Sequence, residues 1–230
     1  MNMIYLIDSF FNLLFPKSCV VCSGALAKGE EGVCIICNSR MPRTNYHLQS
    51  DNEVEQRFWG KAEVERATSF FFYNKGSDYN RILHHLKYLG DKGLGEVMGR
   101  CMGKELLASG FFQGIDLIVP VPLHPKKKRK RGYNQSEWIA QGLSRATGIP
   151  VKSDLLTRID DGSSQTRKSV FERWENVRNA FHVNPNVEIK GKHLLLIDDV
   201  LTTGATLVSC AVILTEQADA KVSVATLAVA

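Results

Sequence analysis

The chain has 230 residues, of which 44% are hydrophobic and 23% are charged. This composition is typical of a globular protein with a sizeable core and argues against a disordered chain. The formal net charge of +5 is local, because without the six consecutive cations from Lys126 to Arg131 it would be −1. An acidic partner is therefore expected at that run and not over the whole surface.

The first sixteen residues are largely apolar, but Asp8, Ser9 and Asn12 interrupt them and Pro16 ends them. A bilayer span needs about 20 apolar residues, and the segment lacks the charged leader and cleavage site of a signal peptide. We predict a helix that packs on the protein body. A helix on a membrane surface is the alternative, although no basic face supports it. Without an export signal a cytoplasmic location is expected, where cysteine pairs bind metal in preference to forming disulfides.

Four cysteines form two closely spaced pairs, Cys19-x-x-Cys22 and Cys34-x-x-Cys37, with eleven residues between the pairs. Two such turns supply the four thiolates of a tetrahedral zinc site, and a site closed by four sulfurs is structural and not catalytic. The polar segment 45–60 has no clear periodicity and is predicted to be a linker. The sequence thus predicts two units. Residues 1–58 hold the N-terminal helix, the zinc module and the linker, and residues 59–230 form the larger domain.

Strands and helices alternate beyond the linker. Apolar runs predict strands over 67–73, 116–121, 192–197 and 221–229, and helical spacing predicts helices over 79–89, 94–107, 134–147 and 204–217. Polar and proline-rich stretches predict loops over 122–133, 160–169 and 198–204. Gly95, Gly99 and Gly103 recur at intervals of four in the second helix, which permits close helix packing. Strands that are apolar throughout predict an α/β fold, a parallel sheet flanked by helices.

The most informative segment is 194–206, where an apolar strand ends in Asp198 and Asp199 and a short loop opens a helix. That loop, called the Thr/Gly loop below, consists of Thr202, Thr203, Gly204, Ala205 and Thr206. Ligands of open parallel sheets bind at the carboxyl ends of strands. The N–H groups and hydroxyls of the loop suit an anion at the positive end of the helix. The two carboxylates would repel a phosphate but accept hydrogen bonds from a vicinal diol. The segment therefore predicts a site for a ribose 5-phosphate ligand.

Other interpretations of the acidic pair are weaker. A strand ending in two aspartates also opens the receiver domains of phosphorelays, but only 31 residues follow Asp199, too few for such a domain. A sheet whose acidic pair binds no ligand is the second alternative. The sequence has no G-x-x-x-x-G-K-[S/T] motif, so a P-loop ATPase is not expected.

These residues resemble the signature of the type I phosphoribosyltransferases, and nearly the whole chain resembles the ComF (competence protein F) family related to them. The resemblance includes the cysteine module and five further matches. These are Pro120-Val-Pro-Leu123, Arg131-Gly-Tyr-Asn-Gln135, Gln165-Thr-Arg-Lys168, Arg173 and Asn176-x-x-x-Ala-Phe181. The resemblance implies a phosphoribosyltransferase-like fold and a role in competence, the uptake of DNA.

The resemblance also implies roles for individual residues. Asp198 and Asp199 would contact the ribose hydroxyls, the Thr/Gly loop would hold the 5′-phosphate, and magnesium would bridge the diol and the pyrophosphate. The position that holds pyrophosphate in the enzymes corresponds to Pro120, Val121, Pro122 and Leu123. This sequence departs from the enzymes there, because the segment is proline-rich and precedes the basic run. The departure affects the expectation of catalytic turnover more than the expectation of ligand binding.

Two functions follow as hypotheses. In the first, the chain transfers or removes the phosphoribosyl group of phosphoribosyl pyrophosphate. The catalytic candidates are Asp198, Asp199 and the polar-loop residues Arg167, Lys168 and Arg173, the last three to stabilise the departing pyrophosphate. For these three residues, a solvated loop without a catalytic role is the alternative.

In the second hypothesis, the chain is a non-catalytic nucleic-acid handling factor that uses the ribose-phosphate site as a sensor. It would contact single-stranded DNA and the DNA-uptake machinery through the zinc module and the basic run. The basic run consists of Lys126, Lys127, Lys128, Arg129, Lys130 and Arg131. Consumption of phosphoribosyl pyrophosphate, as opposed to its binding alone, distinguishes the two hypotheses.

Overall fold

The computed structural model describes residues 17–158 and 180–230. Its helices are α1 Ile35–Ser39, α2 Glu53–Gln56, α3 Asn80–Tyr88, α4 Lys92–Ala108, α5 Pro125–Arg131, α6 Gln135–Thr147 and α7 Ala205–Ala218, with a 3-10 turn at Tyr46–Leu48. Its strands are β1 Ala67–Phe72, β2 Leu117–Pro120, β3 Leu156–Arg158, β4 Phe181–Val183, β5 His193–Leu201 and β6 Lys221–Val229. Every strand and helix predicted over residues 67–229 is present, with ends that differ by at most four residues.

Four parallel strands form the main sheet, in the order β1-β6-β5-β2. Leu194 of β5 pairs with Leu117 of β2 on one side and with Val222 of β6 on the other. Both faces of the sheet are covered, because α3, α4 and α6 pack on one face and α7 packs on the other. This explains why the strands are apolar throughout and do not alternate. The predicted parallel sheet flanked by helices is confirmed.

A second, two-stranded sheet was not predicted. β3 and β4 pair antiparallel, with Leu156 opposite Val183 and Arg158 opposite Phe181. Leu156 and Phe181 are buried on the α7 side of the main sheet. Strands of three residues are too short to show alternation, so the sequence pattern gives no signal for them.

Glycines bring α4 and α6 into backbone contact. A Cβ atom added at Gly99 would overlap the carbonyl oxygen of Ile139, and one added at Gly142 would overlap the carbonyl oxygen of Glu96. Gly103 also faces α6, where its added Cβ would lie 2.8 Å from the Cβ of Ala146. The predicted role of the glycine spacing, close helix packing, is confirmed.

Segment 45–60, predicted to be a linker, is instead folded against β1. Asn52 is buried, donates from its amide nitrogen to three backbone carbonyls including that of Ala67, and accepts from two N–H groups at the start of α2. Val54 and Phe58 are buried in the core on the α7 side. The linker prediction was wrong because a single helical turn is too short to show a period. The domain boundary between residues 58 and 59 stays a prediction.

The basic run, predicted to lie in a loop over 122–133, forms helix α5. Pro125 suits the first helical position, the ring nitrogen of His124 accepts from the N–H of Lys126 at 3.2 Å, and Gly132 ends the helix with a φ of 80°. The loop prediction was wrong because proline starts helices as well as breaking them, and lysine and arginine favour helix.

The predicted loop 198–204 is shorter in the structure, because β5 continues to Leu201 and both aspartates are strand residues. The helix predicted within residues 1–16 and the loop predicted over 160–169 lie outside the described residues. Within residues 17–158 and 180–230, no helix is long and apolar enough to cross a membrane.

The Gly99→Ala variant should lose roughly 1–3 kcal/mol of unfolding free energy, because the added methyl group forces α4 and α6 apart. The matched control is Gly93→Ala in the exposed first turn of the same helix, where the added Cβ would have its nearest neighbour at 3.7 Å. That control should gain about 0.5 kcal/mol from higher helix propensity. Urea unfolding of both variants tests the packing, and equal effects of the two substitutions would contradict it.

Candidate functional site

The acidic pair lies where the chain leaves two neighbouring strands in opposite directions. After β5 the chain forms α7 and returns as β6, whereas after β2 it leads to Val151, which pairs with Ile118 on the outer edge of β2. The two strand ends are joined by the N–H of Val121, which donates to the carbonyl of Ile197 at 2.9 Å. The crevice between diverging connections at the carboxyl ends of parallel strands is a common ligand site.

Asp198 is held by two hydrogen bonds to the same carboxylate oxygen. The hydroxyl of Ser136 donates to Oδ1 at 2.9 Å, and the N–H of Asp199 donates to it at 2.8 Å. Burial and the negative charge of Asp199 raise the pKa of Asp198 to about 7, while these hydrogen bonds and Lys87 act to lower it. The fold therefore favours the protonated carboxyl, and its charge responds to what binds beside it.

Asp199 has a counter-ion on α3. Its side chain is buried, and the Nζ of Lys87 lies 3.4 Å from its Oδ2. Tyr133, which follows α5, donates its hydroxyl to the carbonyl of Leu86 and so ties the end of α5 to the same turn of α3. Burial and the charges of Asp91 and Asp199 raise the pKa of Tyr133, so its hydroxyl keeps its proton and remains a donor. The acid pair is thus supported from α3 and α6.

The Thr/Gly loop leaves donors available at the start of α7. Gly204 is the N-cap with a φ of 79°, a conformation that strains any residue with a Cβ, and no side chain caps the helix. Its first-turn N–H groups therefore remain for water or an anion. Thr202 and Thr203 are exposed beside them. Arg57, which follows α2, lies at the same loop, with its Cβ 3.8 Å from where a Cβ on Gly204 would be.

The predicted pyrophosphate position, Pro120 to Leu123, is next to the acid pair. Pro120 pairs with Ile197, the residue before Asp198. The amide of Asn134 donates to the carbonyl of Val121 at 2.9 Å and fixes the segment to the start of α6. Arg167, Lys168 and Arg173, predicted as catalytic residues, lie outside the described residues, and their place at the site stays a prediction.

The basic run presents most of its cations on the surface. Residues 126–130 are exposed and Arg131 is partly buried. Lys128 pairs with Glu137 of α6 at 3.2 Å. Because α5 begins five residues after β2 ends, these cations lie near the carboxyl end of that strand, at the same end of the sheet as the acid pair.

Three residues at the site, Lys87, Ser136 and Arg57, were missed by the sequence interpretation. A signal existed for Lys87, because it follows Leu83 by four residues and shares the buried face of its helix. Ser136 comes directly after a stretch that carries the family resemblance. Arg57 gave no signal, because its segment was interpreted as a linker.

The four cysteines cluster as predicted. The sulfur atoms of Cys19, Cys22, Cys34 and Cys37 all lie within 4.8 Å of one another. The sulfurs of Cys22 and Cys34 are 3.9 Å apart. Tetrahedral zinc with Zn–S bonds of about 2.3 Å keeps its sulfurs about 3.8 Å apart. The cluster therefore fits a metal ion held by four thiolates.

The cysteine cluster also anchors α3. The hydroxyl of Tyr79 donates to the carbonyl of Cys37 at 2.9 Å, and the guanidinium of Arg81 donates to the carbonyl of Val21 at 3.1 Å. Cys19 and Cys37 are buried in the same core as α3 and α4. The module is thus packed on the domain that carries the acid pair.

Comparison with known proteins gives relatives that match over most of the chain. One is DNA utilization protein YhgH of Salmonella typhi, 31% identical over 223 residues, which cover 92% of this chain and 96% of that protein. Another is competence protein F of Haemophilus influenzae, 26% identical over 209 residues, with 86% and 89% covered. No family model matches the chain.

Among solved structures, adenine phosphoribosyltransferase of Saccharomyces cerevisiae, in complex with an imino-altritol bisphosphate and adenine, is similar with a TM-score of 0.41. The two are 16% identical, with 69% of this chain and 82% of that chain covered. At this score the likeness carries no argument about the site.

Replacing Asp198 by Asn should change how stability depends on pH. The folded-state pKa of about 7 lies above the unfolded value of 3.8, so the parent loses stability as the pH rises through this window. Asn cannot ionise, so the parent should lose roughly 1–3 kcal/mol relative to the variant between about pH 4.5 and 7.5. Urea unfolding at both pH values measures this. The control Asp219→Asn, at the far end of α7, should show the same change of unfolding free energy with pH as the parent. If Asp198→Asn also shows the same change as the parent, the raised pKa is contradicted.

Proposed function

The chain belongs to the competence protein F (ComF) family, and we propose that it binds phosphoribosyl pyrophosphate or a related ribose 5-phosphate at the acid pair and the Thr/Gly loop. Relatives carry names that refer to competence and to DNA utilization, and we propose a role in DNA uptake for this chain too. The ligand site would then couple a ribose-phosphate metabolite to the handling of DNA.

The observation that carries this proposal is the meeting of two opposite kinds of group at one strand end. Asp198 and Asp199 offer acceptors for hydroxyls, while the uncapped start of α7 and the exposed threonines offer donors for phosphate oxygens. A ligand that satisfies both must carry a diol and an anion a few bonds apart. Ribose 5-phosphate has this arrangement, whereas inorganic phosphate has only the anion.

The surrounding residues would hold the acceptors ready for the diol. Ser136 orients Asp198 and Lys87 orients Asp199, so little reorganisation is needed when hydroxyls arrive. Magnesium prefers oxygen ligands and would be held mainly by the ligand's own oxygens beside these carboxylates. When bound, it would supply charge neutralisation for the pyrophosphate.

Turnover would require a group that stabilises the departing pyrophosphate. We propose Arg167, Lys168 and Arg173 for this role, because guanidinium and ammonium groups suit the charge that develops on the leaving oxygens. The Pro120–Leu123 segment would lie along the pyrophosphate. A chain that binds the ligand but does not release pyrophosphate would instead use the site as a sensor.

Calorimetry with phosphoribosyl pyrophosphate and magnesium tests the site. Thr203→Ala removes a hydroxyl and spares the backbone donors, so it should weaken binding by about 1–3 kcal/mol. The double variant Asp198→Asn and Asp199→Asn should impair phosphoribosyl pyrophosphate far more than inorganic phosphate, because phosphate has no diol. Assay of released pyrophosphate then separates an enzyme from a sensor.

Asp219→Asn is the control for these titrations. Asp219 caps the carboxyl end of α7, at the opposite end of the helix from the Thr/Gly loop, and its φ of 50° is one that Asn tolerates. Its affinity for phosphoribosyl pyrophosphate should equal that of the parent. Unchanged affinity of the double Asn variant for both ligands would mean that the carboxylates are structural.

A second function, contact with single-stranded DNA, is favoured by one observation. Helix α5 concentrates six consecutive cations on seven residues, and residues 126–130 are exposed. Such a surface neutralises backbone phosphates without regard to base sequence, and its affinity would fall steeply with salt. The two functions are compatible, since α5 and the acid pair are separate surfaces at the same end of the sheet.

We also propose that the cysteine cluster holds zinc. The support is the distance match described above together with the all-sulfur donor set, which suits zinc more than magnesium or calcium. With no open position for substrate, such an ion would be structural.

The parent should carry one equivalent of zinc per chain, and Cys34→Ser should release it. Because the cysteine module shares a core with α3 and α4, this substitution should lower the unfolding temperature of the whole domain. Metal analysis and thermal unfolding measure the two effects. Cys101→Ser on α4, outside the cluster, is the matched control and should keep its zinc. Less than half an equivalent in parent protein purified without chelator would contradict the assignment.

A further inference from the structure

A cavity of about 440 Å³ opens beside the basic helix, between the carboxyl end of β2 and strand β3. Its volume lies within the range of roughly 300–1,000 Å³ that is usual for sites that enclose a small ligand. Neither the acid pair nor the Thr/Gly loop is among its lining residues. It therefore adjoins the site proposed for ribose phosphate and shares with it only Pro122 and Leu123.

The walls of this cavity are apolar. They include Pro122, Leu123, Pro125 and Leu156. Leu156 is buried, whereas the other three are partly exposed. Proline rings and leucine side chains present flat or smooth surfaces, against which a planar ring can pack without hydrogen bonds.

The rim of the cavity is cationic. Lys128 is neutralised by Glu137 at 3.2 Å. Arg129 is exposed on α5, and Arg158 lies on β3 with its guanidinium 5.2 Å from the centre of the Phe181 ring. Within the part of the chain that the structure describes, neither arginine has a carboxylate partner. Each guanidinium group can donate two parallel hydrogen bonds to the oxygens of one phosphate, which suits both arginines to a phosphodiester.

We propose that this cavity holds one nucleotide of a single-stranded nucleic acid, with the base against Pro122 and Leu123 and the flanking phosphates at Arg129 and Arg158. The inference rests on the proposed DNA contact of α5 and extends it from the helix surface into a defined pocket. A duplex would not fit this arrangement, because its bases are stacked inside and cannot enter a cavity. In a single strand the bases are accessible, so that a base can pack against the apolar wall while its flanking phosphates contact the cationic rim.

Fluorescence anisotropy with a labelled thymidine oligonucleotide of about fifteen nucleotides tests the proposal. Arg158→Gln should weaken binding about tenfold and reduce the salt dependence by nearly one unit of slope. Lys152→Gln is the matched control, because Lys152 is a partly exposed cation near the cavity that does not line it. The control should change the affinity less than twofold. Phosphoribosyl pyrophosphate affinity should be the same in parent and Arg158→Gln.

An abasic oligonucleotide of equal length tests the base. The parent should bind it more weakly than the thymidine strand, and Leu123→Ser should abolish that preference while circular dichroism confirms that the variant is folded.

The double variant Lys127→Gln and Lys130→Gln reports on the helix alone. If it weakens DNA binding while Arg158→Gln does not, the cavity is not a nucleotide site, although the proposed DNA contact of α5 stands. If the parent does not bind DNA, both are refuted. Loss of phosphoribosyl pyrophosphate binding in Arg158→Gln would assign the cavity to the other site and overturn the inference.

Discussion

The backbone contact between α4 and α6 determines where the site is built. Gly99 and Gly142 allow the two helices to approach until carbonyl groups nearly touch the opposing glycines. At this separation the start of α6 reaches the end of β2, where Asn134 binds Val121 and Ser136 binds Asp198. A side chain in the contact would push α6 outward, and we expect it to strain both hydrogen bonds. The position of the acid pair therefore depends on residues that never touch a ligand.

Electrostatics then divides the site into two halves. The carboxylates of Asp198 and Asp199 face Ser136 and Lys87, which partly offset the cost of placing two negative charges side by side. The other half has the opposite polarity, because the uncapped start of α7 favours an anion. The proposed ligand, with hydroxyls at one end and phosphate at the other, would match both halves.

The main sheet and the position of the acid pair at a strand end could be predicted because their signals are local. β5 and β6 are continuous apolar runs, and the acids and the Thr/Gly loop adjoin each other in sequence. Ser136 could not be placed at the acid pair, since it is 62 residues from Asp198 in sequence and only the folded sheet joins them. The short elements failed for another reason. α2, α5, β3 and β4 have at most seven residues each, so caps and tertiary contacts decide their structure more than periodicity does.

Helix α3 contacts the cysteine module at one end and the acid pair at the other. Tyr79 and Arg81 bind carbonyls of the cysteine module at one end, and Lys87 pairs with Asp199 at the other. With nine residues, α3 is a rigid rod of about 13 Å. A displacement of the cysteine module along this rod would therefore change the distance between Lys87 and Asp199, so the two sites are mechanically coupled although they share no residue.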